Sequence, residues 1–324
     1  MRVSNQDGLS LYYRSYGSGE PVLLIHGLGG SGADWALQVP ALERRFRVIV
    51  PDLPGCGFSS PPRGAYSIES FAGALWSLLD QLEVPRINIV GFSMGGAVAL
   101  EMALQRPSLV PRLALINSLA TYRDQWRKWM YARSCGVLIR LCGMRTAARI
   151  FAAGLFPEPW QITLRDRAAA TVAAVPASSY LSMARALEQW EATDRLDRIR
   201  SRTLVIAAEH DHTPLAEKRA LAASLDASLV VVNGSRHGTP FDASETTNCS
   251  LLALLTDEPL LPHGRLACDT AARAQARFLS IRGRVLELLE NAADTYGRDS
   301  RENGYLQVAP VEARGSDTLA HHSR

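Results

Sequence analysis

The stretch Ile87-Asn88-Ile89-Val90-Gly91-Phe92-Ser93-Met94-Gly95-Gly96-Ala97 decides how the rest of the chain is read. Ile87–Val90 is a short apolar run of the kind that forms a buried strand. It breaks at Gly91, turns through Phe92-Ser93-Met94 and enters a helical pattern that continues to Leu100. A serine two residues from a glycine on either side, between a buried strand and a helix, has the spacing of a nucleophile elbow. A sharp strand-to-helix turn holds the serine in strained geometry, and side chains at the flanking positions would strike neighbouring backbone. Such a turn exposes Oγ at a helix N-terminus and leaves the Met94 amide able to donate to a developing oxyanion. Short patterns also recur by chance at glycine-rich corners, so the flanking sequence has to separate the two readings.

Upstream, Arg2–Ser4 and Leu9–Ser15 flank the turn signal Asp7-Gly8 and read as a hairpin. Pro21–Ile25 is a continuous apolar run that suits a central parallel strand, and it ends in His26-Gly27-Leu28-Gly29-Gly30-Ser31. That loop lacks the Lys-Ser/Thr of a P-loop and the full G-x-G-x-x-G spacing, which argues against a nucleotide site. Ala41–Arg45 reads as a helix end and Phe46–Val50 as a strand running into the Pro- and Gly-dense loop Pro51–Ser59. Cys56 in that loop has no basic neighbour in sequence and reads as a loop residue rather than a nucleophile. Ser67–Leu82 has helical spacing with Ser67 as N-cap and Glu69 in the first turn. After the elbow helix, which ends before Pro107, Leu113–Ile116 is a further strand.

Alternation of strand and helix predicts a mostly parallel sheet covered on both faces. It stops near residue 118. Helices are expected at Tyr122–Arg133, Val137–Phe151, Gln161–Ala173 and Ser178–Ala192, with breaks near Gly136, Pro157-Pro159 and Pro176. It resumes with strand Thr203–Ala208, helix Leu215–Leu225, strand Ser228–Val232 and helix Ser244–Leu255. The helical block is therefore an insertion between two strands, placed to cover their carboxyl edge. The expected division is a core of 1–117 with 200–256, a helical cap of 118–199, and an extension of 257–324. Within the extension Ala267–Ala292 has helical apolar spacing, and Thr295–Arg324 is polar and aperiodic, as in a disordered tail.

Bulk properties exclude several classes. A chain of 324 residues, 47% hydrophobic and 21% charged, can bury a large core as a soluble globular protein. A net charge of +3 is too small to point to nucleic acid. The five cysteines are odd in number and lack C-x-x-C spacing, so neither a zinc site nor a disulfide framework is indicated. With no signal-peptide core and no apolar run of about 20 residues, the expectation is a soluble, cytoplasmic protein. Tyr122–Arg149 carries seven Arg and Lys side chains against Asp124 alone. A solvated basic face on amphipathic cap helices explains this most simply; attraction of anionic substrates or a lipid surface is the sharper alternative.

Taken in order, H-G-L-G-G at 26–30 with Trp35 downstream, D-L-P-G-C-G-F-S at 52–59, G-F-S-M-G-G at 91–96, L-V-I-A-A-E-H-D at 204–211 and G-S-R-H-G-T-P at 234–240 resemble the α/β-hydrolase family, in its type with a helical cap. The resemblance covers about residues 8–256. It implies a triad in the order serine, acid, histidine, which falls on Ser93, Asp211 and His237, with Glu209 as the competing acid. It also implies an oxyanion hole from the backbone amides of Leu28 and Met94, and no metal or cofactor. His26 reads as a structural loop histidine. His210 and His212 flank Asp211, but alternate residues of one loop seldom converge on an ion. Serine at position 93 argues against the dehalogenase and epoxide hydrolase branches, which the resemblance would assign an aspartate.

The implied reaction is attack of Ser93 on a carbonyl carbon, and the expected activity is hydrolysis of a small or medium carboxylic ester, lactone or thioester. Cap aromatics Trp126, Trp129, Phe151, Phe156 and Trp160 are candidates for an apolar acyl pocket. Cleavage of a C–C bond, acyl transfer, and a ligand-sensing or scaffold protein with little turnover are the alternatives. The expected partner is a small acyl substrate.

Overall fold

Each short run of Val, Ile and Leu becomes a strand, since a run apolar on both faces must be covered on both. The computed structural model describes residues 1–4, 8–123 and 126–258, with backbone alone for 4 and 126–135. The expected helix at 267–292 and the tail after it lie outside the described residues, as does the turn at Asp7. Among the described residues, strands β1 (Arg2–Ser4), β2 (Ser10–Tyr16), β3 (Glu20–Ile25), β4 (Phe46–Pro51), β5 (Asn88–Phe92), β6 (Arg112–Ile116), β7 (Arg202–Ala208) and β8 (Ser228–Val232) form one sheet ordered β1-β2-β4-β3-β5-β6-β7-β8. β1 and β2 are antiparallel to their neighbours; from β4 to β8 the sheet is parallel.

Strand alternation sorts the core into two layers. Val22, Leu24, Val48, Val50, Val90 and Ile206 pack with Trp35, with α1 (Val39–Leu42) and with Leu251 and Leu254 of a C-terminal helix, Ser244–Leu255. Leu23, Ile25, Ile49, Ile89, Leu115 and Val205 face α2 (Ile68–Gln81) and α3 (Met94–Gln105). Ser67 caps α2 as expected, its side chain accepting from Ser70 N. Every residue of α3 from Met94 to Leu104 is buried, which is why its sequence is apolar on all sides but for Glu101, whose carboxylate accepts from Trp190 Nε1 at 3.1 Å.

Between β6 and β7 come α4 (Trp126–Leu155), α5 (Ile162–Ala174) and α6 (Ala177–Gln189). The expected break at Gly136 is absent. The backbone leaves helical geometry at Gly143 instead (φ 76°, ψ 162°), so α4 is two helical pieces meeting seven residues later than the sequence suggests. Gly136 tolerates the helix interior at a modest cost in propensity, whereas only Gly143 adopts the left-handed conformation. The two ends of the insertion are tied together. Thr121 bridges Glu191, Ala192 N donates to Ala120 O at 2.9 Å, and Thr121 Oγ1 donates to Glu191 Oε2 at 2.6 Å. After β7 follow α7 (Leu215–Ser224), α8 (Thr239–Asp242) and α9, the Ser244–Leu255 helix already placed on the sheet.

The chain moves from β3 outward to β4 and then returns to the other side of β3 as β5. The carboxyl ends of β3 and β5 therefore flank a switch point, where an open α/β sheet leaves a crevice. Close approach there depends on glycine. A Cβ on Gly95 would lie 2.2 Å from Ile25 O and 2.5 Å from His26 O, and one on Gly91 would lie 2.3 Å from Gly95 O. Both obstacles are backbone and cannot swing aside. Gly95→Ala is expected to destabilise the protein by about 1–3 kcal/mol through overpacking, read as a lower urea midpoint with an unchanged slope.

Candidate active site

Ser93 follows β5 directly and precedes the first residue of α3. Its backbone sits at φ 54°, ψ −120°, a conformation that costs a non-glycine residue about 1–3 kcal/mol and persists only where packing imposes it. Ser93 N donates to Ile116 O of β6 at 2.9 Å, which fixes the turn from the other side. Ser93 itself stays half-buried, so Oγ remains within reach of solvent.

The loop after β8 brings His237 onto this hydroxyl. His237 Nε2 is 2.8 Å from Ser93 Oγ, and Nδ1 is 2.8 Å from Asp211 Oδ1. Ionised Asp211 can only accept, so Nδ1 carries the proton and Nε2 is left to accept from the serine hydroxyl. Burial lowers the affinity of His237 for a second proton, offsetting the opposite pull of Asp211. Burial alone would raise the Asp211 carboxyl, but His237, His212 and Lys218 together hold it well below the usual carboxylate range. The site thus pairs an ionised acid with a neutral imidazole. Glu209, the competing acid, is exposed and accepts from Gly234 N at 2.9 Å, within the turn that follows β8.

The remaining expected residues have different outcomes. A Cβ on Gly27 would lie 3.3 Å from Ser93 Cβ, so the loop carrying Leu28 passes directly beside the serine. The Met94 amide begins α3 and has no acceptor within the helix. His26 is buried: Leu53 N donates to its Nε2 at 2.9 Å and Nδ1 meets Gly27 O at 2.8 Å, a structural role. Cys56 is buried and its thiol is pushed well above the ordinary range, chiefly by burial, so it is no nucleophile. Phe156 packs where a Cβ on Gly238 would be, 2.5 Å from that position, and so lies beside His237. Phe151 stacks on Tyr180 with ring centroids 5.9 Å apart. Trp160 does not join them; it is 77% exposed, held outward in the short turn before α5. Trp126 and Trp129 fall where the backbone alone is described.

Three residues that the sequence did not mark, and His212, which it set aside, complete the site. Tyr180 of α6 presses on Gly29 of the loop beside Ser93, its ring 2.8 Å from where a Cβ would stand. Asn117, buried at φ 47°, is a hub: its Nδ2 donates to His237 O at 2.9 Å and to Thr239 Oγ1 at 2.7 Å, while Oδ1 accepts from Ala208 N at 2.7 Å. Lys218 of α7 is wholly buried and its ammonium contacts Asp211 Oδ2. His212 comes closer than expected, with Nδ1 3.1 Å from Asp211 Oδ1 and its ring 4.2 Å from that of His237. An Asn after an apolar strand and a Lys one turn into a helix are common in sequence, and nothing local marks these.

Asp211, His212 and His237 therefore do converge, with ligand atoms within 4.8 Å of one another, contrary to the expectation for this loop. They fit a cation poorly. One carboxylate oxygen already carries the Lys218 ammonium, the other serves the imidazole, and the remaining His237 nitrogen holds Ser93. A cation would sit against a buried positive charge.

Comparison with known proteins bears on the family. A family model described as the alpha/beta hydrolase fold matches residues 20–137. The chain spans about a third of the length of an uncharacterized Mycobacterium tuberculosis protein that is 43% identical to it over 112 residues. It is 33% identical over 264 residues to a Stutzerimonas stutzeri protein named carbamate hydrolase RutD, covering 76% of this chain and 97% of that one. Among solved structures, the enol-lactonase of Burkholderia xenovorans aligns with a TM-score of 0.73 at 25% identity, over 79% of this chain and 100% of that one. The meta-cleavage product hydrolase of Pseudomonas fluorescens aligns with a TM-score of 0.68 at 25% identity, over 80% and 98%. Sheet order, elbow and these likenesses together make the chain a member of the alpha/beta hydrolase family.

Proposed function

We propose that the protein hydrolyses a small or medium carboxylic ester, lactone or thioester through an acyl-enzyme on Ser93. The observation that carries this reading is the unbroken chain from Ser93 Oγ through His237 to an ionised Asp211, each link at 2.8 Å. In this reaction Oγ attacks the carbonyl carbon as its proton passes to His237 Nε2. The carbonyl electrons move onto oxygen, to which the amides of Met94 and Leu28 would donate; one such donor contributes about 2.7–4 kcal/mol to the transition state. His237 returns the proton to the departing alcohol or thiol, and water then repeats the sequence to release the acid. Asp211 holds the imidazole in the required tautomer and stabilises its charged form.

The helical insertion acts as the cap. Phe156, beside Gly238, and Tyr180, against Gly29 with Phe151 stacked on it, offer an apolar surface to the acyl portion. A lactonase and a carbamate hydrolase among the similar proteins support attack on a carbonyl flanked by a leaving group. The likeness to a meta-cleavage product hydrolase favours C–C cleavage as the second reading, and the same serine would serve it.

Ser93→Ala is expected to abolish labelling by a fluorophosphonate and to lower turnover of nitrophenyl esters by about 10⁴-fold or more with folding intact. Labelling without ester turnover across a chain-length series would favour C–C cleavage or transfer to a specific acceptor. A folded wild-type protein that takes no label would instead indicate a binding protein. Since burial disfavours protonated His237, the labelling rate should rise as that proton leaves, with a midpoint below about pH 6.5, and stay level above it. A midpoint above 7 would contradict a desolvated base.

A further inference from the structure

Lys218 is 0% exposed, and a buried ammonium needs a reason. Its three donors meet three acceptors: Asp211 Oδ2, Thr213 O at 3.3 Å and Asn117 Oδ1 at 3.4 Å. Asn117 in turn holds the carbonyl of His237 and the end of β7. The lysine thus ties the acid, its loop and the histidine loop to one point. Thr213 Oγ1 donates to the same Asp211 oxygen at 2.7 Å. With Oδ2 taken twice over, Oδ1 is the oxygen presented to the imidazole.

We propose that Lys218 is a positioning residue of the hydrolytic site, which fixes the rotation of the Asp211 carboxylate and shares its charge so that the acid–histidine couple works beside a neutral ion pair rather than a lone anion. The inference rests on the serine-hydrolase reading above. Its consequence is electrostatic. An unpaired buried carboxylate would strongly favour imidazolium, holding His237 protonated and Ser93 unactivated near neutral pH. The ammonium opposes that protonation, in the same direction as burial. Other charged or titratable groups bearing on the pair are few among the described residues: His212 from the acid loop, Glu217 from α7, and Tyr122, buried at the start of the insertion.

The test compares the pH dependence of fluorophosphonate labelling in wild type, Lys218→Gln and Lys218→Arg, with folding checked by circular dichroism. In Lys218→Gln the midpoint of the acid limb should move up by about one unit, so that labelling below the wild-type midpoint falls about tenfold. Lys218→Arg, keeping the charge, should return the midpoint toward wild type. An unmoved midpoint in folded Lys218→Gln, or an equal shift in both variants, overturns the proposal. Should Lys218→Gln not fold, Asp211→Asn and Asp211→Asn/Lys218→Met decide. The double variant should label several-fold faster than the single one, because the single variant leaves an uncompensated ammonium near the imidazolium that must form; equal or slower labelling overturns the proposal. Absence of labelling in wild type would instead sink the serine chemistry itself, a separate result.

Discussion

The whole site depends on how closely α3 can approach the carboxyl ends of β3 and β5. That approach is a contact of backbone with backbone, with Gly95 against Ile25 O and His26 O, and Gly91 against Gly95. It forces the chain to reverse within one residue, and Ser93 takes the strained position as a result. From there the hydroxyl faces across the sheet edge toward β7 and β8, whose following loops supply Asp211 and His237. Burial of α3 on nearly every side is what opposes the strain.

Electrostatics follow from the same burial. A carboxylate removed from water is costly unless charges and hydrogen bonds surround it, and Asp211 has both. His237, equally buried, stays neutral and can accept a proton. The two groups are driven apart in proton affinity by their neighbours, which is how acid and base roles are divided in such sites. Phe156 beside Gly238 and Tyr180 against Gly29 bring aromatic rather than charged side chains of the insertion to the loops around the serine.

Much of this was legible in the sequence because it is local. Strand runs, the elbow and the loop glycines declare themselves through composition and spacing, and the order of the five motifs points to Ser93, Asp211 and His237, three side chains that the structure brings together. What escaped notice depends on contacts between residues far apart along the chain. Lys218 looks like an ordinary helix surface residue until α7 packs it behind Asp211. Asn117 looks like a strand terminus, yet it bonds residues about 90 and 120 positions away. The break in α4 falls at Gly143 rather than Gly136 because either glycine could supply it and only tertiary context selects between them. Aromatic character alone groups Trp160 with a pocket, and it says nothing about the direction in which a turn points the side chain.

The positive φ at Ser93 carries one more consequence. Relaxation of that single dihedral to an ordinary value would swing the hydroxyl off the imidazole, and intact packing of α3, with the Ser93 N–H bond to Ile116 O, prevents it. Reactivity at this serine is therefore a tenant of the folded sheet: a copy that begins to loosen goes chemically silent as its packing fails, and a misfolded one is born so.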